Sequence, residues 1–264
     1  CLDSVISDKL FSRIEVFVID DGSTDKTSEI VKCYVNHYKN IRLIRQPNSG
    51  QGLARNQGID AATGEYLYFL DSDDYLGENA LALMYEAAKF GDIDICSPNR
   101  PYLAERPLDF ISALPGWCCF IKRSLLNANG RLIRQTSIRS GQDGVFANMV
   151  LARCKSALVC ADANYYYEKR VNSTFNSLKS DLSVIPSIVE QHLGALNSYY
   201  LENDLFLEQA ARYLLFLQDE TYKWRYKANL NDMPDLSARH IYLTIKCELI
   251  TKLKLVNKSA LAYF

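Results

Sequence analysis

Long apolar runs are missing from this sequence. No stretch approaches the ~20 uninterrupted apolar residues that a membrane-spanning helix needs, so no such span is expected. A secretory leader is missing too, which means little in a chain that starts at Cys1 rather than Met and reads as cut off upstream. There is no basic excess: 30 Lys and Arg against 31 Asp and Glu leave a formal net charge of −1. That balance argues against a nucleic-acid binder. Histidine is scarce, and His37, His192 and His240 are scattered without metal-ligand spacing. His37 and His240 are expected on helix surfaces, and no chemistry is assigned to any of the three. None of the eight cysteines forms a Cys-x-x-Cys pair, and a chain of 264 residues needs no disulfide staples. Reduced thiols in the cytosol are the expectation. No Walker-type glycine–lysine loop or dinucleotide fingerprint occurs, and there is no low-complexity tract or internal repeat.

What is present is organised around Gly64–Asp74, GEYLYFLDSDD. Tyr66–Leu70 has the continuous apolar pattern of a strand buried on both faces. It stops at Asp71, Asp73 and Asp74. Clustered like charges repel unless something positive sits among them, so a strand ending in Asp-x-Asp suggests a divalent cation at the carboxyl edge of a sheet, where open α/β sheets bind ligands. An ordinary acidic turn fits the same residues. Ile14–Ile19 repeats the shape upstream and ends in Asp20 and Asp21. Between the two, Asn48–Gly58 is a glycine-rich turn running into a helix, whose N-terminus favours anions and whose Gly50 and Gly52 permit close backbone approach.

The rest follows in chain order. Cys1–Leu10 reads as a short helix. Ser23, Thr24 or Asp25 is a candidate N-cap for a helix with Ile30, Val31, Tyr34, Val35 and Tyr38 on one face. Ile41–Ile44 and Ile93–Ser97 read as strands, and Asn79–Phe90 as a helix. Strands and helices alternate, so an α/β fold with a mostly parallel sheet and crossover helices is expected. Asn99–Pro115 reads as a loop over the site. Gly116–Asn127 is a strand leading into a short helix. Gln142–Arg153 is a helix with Val145, Phe146, Met149 and Val150 inward. Ala157–Ala161 and Tyr165–Glu168 are two strands, and Val171–Asn176 is a polar loop. From about Ser180 the character turns helical. Lys246, Lys252, Lys254 and Lys258 near the end fit either a solvated helix face or peripheral contact with an anionic membrane.

Two strand ends with paired acids and a glycine-turn helix between them make a site for a nucleotide diphosphate. Mg²⁺ or Mn²⁺ takes oxygen ligands from one or two carboxylates and completes its shell with substrate phosphate. At this level of detail, IEVFVIDDGSTDKT, PNSGQGLARNQGIDAATGEYLYFLDSDD and SGQDGVF resemble a family 2 glycosyltransferase of the GT-A, Rossmann-like fold, in the right order from Cys1 to about Ser177. The resemblance implies a GT-A domain over 1–177 and a helical region over 178–264.

It also implies roles. Asp20, Asp21 and Ser23 match the residues at the base and ribose of a nucleotide-sugar donor, UDP above all. Asp71 and Asp73 match the Asp-x-Asp metal and diphosphate site, Asp73 being the first candidate ligand of Mn²⁺ or Mg²⁺. Arg55 and Asn56 match helix residues under the nucleotide, with a structural role as open as direct contact. Asp143 matches the base of an inverting transfer; read alone, it fits a helix N-cap equally. Arg170 and Ser173 match the loop that closes over the diphosphate. The implied acceptor is a hydroxyl of a glycan or lipid-linked molecule in bacterial polysaccharide synthesis, at the cytoplasmic side of the cell membrane, with homo-oligomers as a further expectation. The chain departs from the pattern twice. Gln142 stands where glutamate usually precedes the base, and the family's opening strand is not in this sequence, which would leave a sheet edge exposed. Two other classes remain: a catalytically silent nucleotide-sugar-binding subunit, and a nucleotidyltransferase, which would normally carry a basic glycine loop near its amino terminus.

Overall fold

The computed structural model describes residues 1–99, 118–128, 131–138, 142–168, 185–203 and 205. The chain divides into two compact units, one of residues 1–109 and 114–169, the other of 110–113 and 170–264. In the first unit α1 (Leu2–Ile6) leads to β1 (Val16–Asp20), α2 (Thr27–His37), β2 (Ile41–Arg45), α3 (Gln51–Ala61) and β3 (Tyr66–Tyr68). Next come β4 (Tyr75–Leu76), α4 (Ala80–Phe90) and β5 (Ile95–Asn99). They are followed by β6 (Phe120–Lys122), β7 (Asn127–Ala128), β8 (Arg131–Leu132), α5 (Gln142–Leu151) and β9 (Ala157–Tyr166).

The crossover units produce the expected parallel pairs, β1 with β2 and β5 with β9. The five-stranded sheet, in the order β3-β6-β5-β9-β4, is otherwise antiparallel: β6 runs against both of its neighbours, and β4 against β9. Within the described residues, β1 and β2 form a separate two-stranded sheet, and β3 is an edge of the five-stranded one. Both strands that end in acids therefore carry only one ladder partner. Val16–Ile19 are accordingly half-buried, where the apolar run predicts burial on both faces.

Some boundaries differ from the pattern in the sequence. Ala157–Ala161 and Tyr165–Glu168 merge into the single strand β9, whose register against β5 shifts after Pro98. Tyr75–Leu76, hidden behind the acid cluster, forms a short strand against Tyr165 and Tyr166. The helix α2 starts at Thr27, and Asp25 accepts the Thr27 amide at 2.9 Å.

The core packs α1 and α4 on the sheet through Val5, Leu81, Met84, Cys96, Phe120 and Tyr165. Asp8 is the polar pin in this contact. Its carboxylate accepts the Leu10 amide at 2.8 Å and the α4 amides of Leu81 and Ala82 at 2.8 and 3.2 Å. Asn79, the residue at the N-cap position of α4, lies in the left-handed region and makes no side-chain cap, so a carboxylate 73 residues away in sequence satisfies the orphan donors. The seven described cysteines are free thiols, and burial pushes the Cys96 thiol up to about 12.

In the second unit, α6 (Ile185–Glu202) buries His192, Leu196 and Tyr200 along one stripe at four-residue spacing. Among the described residues no helix is long and apolar enough to cross a membrane. Most of Asn99–Pro115, the Val171–Asn176 loop and the lysine-rich end lie outside the described residues.

Candidate active site

The helix α3 is the keel of the site. Gly50, at its N-cap position, has φ of +92°, a backbone conformation that glycine adopts without the Cβ penalty. Its amide donates to Asp21 Oδ2 at 2.8 Å, and Asp21 Oδ1 also accepts from Ser49 N and Gln46 Nε2 at 2.8 and 2.7 Å. Gly52 is required by a close approach of protein backbone: a Cβ there would collide with the Thr136 carbonyl oxygen. Asn56 exchanges two hydrogen bonds with the Gln135 backbone, donating to O at 2.9 Å and accepting from N at 2.8 Å, as a strand partner would. Arg134 forks onto Asp60. The segment around residue 135 is thereby clamped along α3, and Asn56 has a structural role.

Asp20 is buried and fully engaged. It accepts from Ser28 Oγ, from Ser23 N at 2.7 Å, and stands 3.4 Å from Arg45 Nε. The Ser28 and Ser23 hydrogen bonds hold its carboxyl down, from an ordinary 3.8 to about 2. Ser23 also accepts Arg45 Nη2 on its carbonyl at 2.9 Å. Both acids at the end of β1, and Ser23 with them, thus shape the turns into α2 and α3.

The end of β3 is different. Asp71 Oδ1 receives Arg55 Nη2 at 2.5 Å and Gln51 Nε2 at 3.2 Å, while its Oδ2 accepts no hydrogen bond among the described residues. Arg55 is 9% exposed, lies over the Phe69 ring at 5.9 Å, and points a second nitrogen at Gln135 Oε1, 3.4 Å away. Burial raises the Asp71 carboxyl above its usual range; Arg55 opposes this, and the charges of Asp73 and Asp143 push it further up. Asp73 and Asp143 thus both act on Asp71. Asp74, by contrast, is buried as a structural group: it accepts the Tyr165 hydroxyl and, at 2.9 Å, the Glu168 amide. Burial raises its carboxyl, and burial with Asp74 raises the Tyr165 hydroxyl.

Asp143 lies in the first turn of α5 and is half-buried. The helix is held by its apolar face: Val145, Phe146, Met149 and Val150 are all buried, as their spacing predicts, and Phe146 meets Phe69 edge-on at 5.9 Å. On its polar side Gln142 donates to Gln51 Oε1 at 2.9 Å. Gln135 Nε2, Thr136 Oγ1 and Gln142 Oε1 are buried without hydrogen-bond partners among the described residues. Arg170 and Ser173 lie outside the described residues. Gln51, Gln135 and Tyr165 were not legible as site or scaffold residues. Only Gln51 carries a signal, four residues before Arg55 and so on the same helix face.

Among the described residues no group of three or more His, Cys, Asp or Glu side chains makes a protein-only metal cage. A hard cation bound with substrate phosphate needs only one or two carboxylates. The open Oδ2 of Asp71, with Asp73 two residues on, fits that smaller demand.

The fold is of the GT-A class. The family described as Glycosyl transferase family 2 matches residues 1–128, just under half of the chain. A poly(ribitol-phosphate) beta-glucosyltransferase of Bacillus spizizenii is 33% identical over 186 residues, 63% of this chain and 29% of the relative. A cholesterol galactosyltransferase of Borreliella burgdorferi is 37% identical over 118 residues, 43% of this chain and 33% of the relative. The chain thus spans about a third of the length of the curated relatives it matches. Among solved structures, S. aureus TarS 1–349 in complex with UDP-GlcNAc superposes with a TM-score of 0.59 at 22% identity, covering 83% of this chain and 75% of that one. The mannosyltransferase PcManGT of Pyrobaculum calidifontis, in complex with GDP-Man and Mn²⁺, gives 0.55 at 17% identity, covering 94% and 75%.

Proposed function

We propose that this chain carries the catalytic domain of an inverting glycosyltransferase that moves a sugar from a nucleotide-diphosphate sugar, UDP-linked, to a hydroxyl of a glycan or lipid-linked acceptor in polysaccharide synthesis. The observation that carries the reading is the packing of α5, with Asp143 in its first turn, beside the segment that carries Asp71: Phe146 meets Phe69 at 5.9 Å, and the Asp143 charge bears on Asp71. The free thiols fit a reducing cytoplasm.

In this reading Asp143 removes the proton from the acceptor hydroxyl as that oxygen attacks the anomeric carbon from the face opposite the nucleotide. One base suffices, unlike the paired carboxylates of hydrolases. Asp73 and Asp71 Oδ2 hold the diphosphate end, and Arg55 keeps Asp71 oriented. The Asp20, Asp21 and Ser23 turn forms the nucleoside end, and Arg170 and Ser173 are assigned to closure over the diphosphate. Mn²⁺ or Mg²⁺, when bound, would stabilise negative charge on the departing nucleotide diphosphate. Peripheral membrane contact through the C-terminal helices and self-association belong to the same proposal.

Donor turnover measured as UDP release in the presence of Mn²⁺ tests it. Turnover that disappears in Asp143→Asn, while the melting temperature stays, supports the base and the transfer together. No turnover of any UDP-sugar, with cation-dependent UDP binding retained, would replace this reading by that of a silent nucleotide-sugar-binding subunit. That alternative draws on the internal engagement of Asp20 and Asp21, which leaves less of the β1 end for a ligand.

A further inference from the structure

A chain of side-chain amides joins the two carboxylate-bearing elements of the site. The buried Gln142 donates from Nε2 to Gln51 Oε1 at 2.9 Å, and Gln51 donates from Nε2 to Asp71 Oδ1 at 3.2 Å, on the oxygen that Arg55 also contacts at 2.5 Å. An ionised carboxylate accepts hydrogen bonds and cannot donate one. Ion-paired to Arg55, Asp71 is such a terminus, so Gln51 must turn its NH₂ toward it and its carbonyl oxygen toward residue 142. Residue 142 must then be a donor. The structure keeps that orientation at a visible cost, since Gln142 Oε1 is left buried without a partner among the described residues. Turning the amide round would set two carbonyl oxygens against each other.

We infer that Gln51 and Gln142 form a one-directional amide relay that locks the first turn of α5, and with it Asp143, to Asp71. The relay accounts for glutamine in front of Asp143: a glutamate there would be acceptor-only when ionised and would face the Gln51 oxygen. Phe69 and Phe146 hold the apolar side of α5, and the relay holds the polar side. Gln51 and Gln142 are therefore positioning residues. Their kinetic effect rests on the transferase reading above, whereas the relay itself does not.

The test uses the full chain and two readouts. Gln142→Met removes the donor without adding charge, and Gln142→Glu replaces it with an acceptor. Each is expected to lower the melting temperature by about 3 °C, the scale of one partly buried hydrogen bond. Adding Gln51→Lys, which donates in both directions, restores the loss in Gln142→Glu but not in Gln142→Met. A Gln142→Met chain that melts like the unmodified one overturns the relay, as does a Gln51→Lys rescue equal for both substitutions. In turnover, Gln142→Met is expected to lower kcat about 10-fold with the donor KM unchanged. An unchanged kcat overturns the positioning role. Absence of turnover in the unmodified chain sinks the transferase reading instead and leaves the relay to the melting data.

Discussion

The ends of β1 and β3 look alike in sequence and do opposite things in the fold. Each is an apolar run closed by acids. At β1, Asp20 and Asp21 are met by hydroxyls, amides and Arg45, and the Asp20 carboxyl is held down at about 2. Hydrogen bonds from within the protein thus fix the shape of this turn. Beyond β3, Asp71 is raised by burial that Arg55 only partly offsets, and the negative charges of Asp73 and of Asp143 on α5 add to the strain. Positive charge brought by a ligand would relieve that strain. The comparison teaches that two acid runs alike in sequence can differ in charge state once folded: hydrogen bonds hold Asp20 down, and burial raises Asp71.

The sharpest way to break this contrast is at the base. Asp143→Asn is expected to lower turnover by about 10²–10⁴-fold with no loss of melting temperature, while Asp20→Asn should lower stability first. Equal losses of stability in both would erase the distinction. Next in size is the ligand effect. UDP with Mn²⁺ at about 100 times Kd should stabilise the native chain by about 2.7 kcal/mol, seen as a rise of several degrees in thermal unfolding. Asp73→Asn should abolish the cation-dependent part. A rise that survives the substitution would move the cation elsewhere.

Smaller effects separate Asp74 from its two neighbours. Tyr165→Phe removes a donor from a buried carboxylate and should cost about 1–3 kcal/mol by denaturant unfolding while leaving UDP binding intact. Asp8→Ala, which strips the first turn of α4 of its partner, should cost about 1 kcal/mol with the same independence from ligand. The smallest expected effect is acid sensitivity at Asp20. Because its folded value is depressed, its stabilisation is fully present above the ordinary 3.8 and is lost as pH falls toward about 2. Acid titration of stability should therefore lose a component across that window in the unmodified chain and lack it in Asp20→Asn.

Much of the first unit was legible because its signals are local. The α5 stripe of Val145, Phe146, Met149 and Val150 and the strands of the crossover units follow from spacing alone. The GT-A class followed from three motifs in order. The site was half legible. Asp71, Asp73 and Asp143 could be named, but Asp74 stands beside Asp73 in sequence and its structural role depends on Tyr165, 91 residues away. Gly52 reads as a place of close backbone approach, and the structure supplies the group that approaches, the Thr136 carbonyl, which the sequence could not name. The direction of β6 against both neighbours and the capping of α4 by Asp8 are long-range pairings that no periodicity encodes.

By itself, then, the sequence determined where most strands and helices fall, where acids interrupt them, and which family model the first 128 residues match. Those properties rest on backbone propensity and side-chain spacing, both local. Only the tertiary structure decided which acids are satisfied and which are not. The donors that settle the question, Ser28 for Asp20, Tyr165 for Asp74, Arg55 and Gln51 for Asp71, come from other elements or later turns. A carboxylate's state depends on the charge and solvent around it in space, and that environment does not exist until the chain has folded.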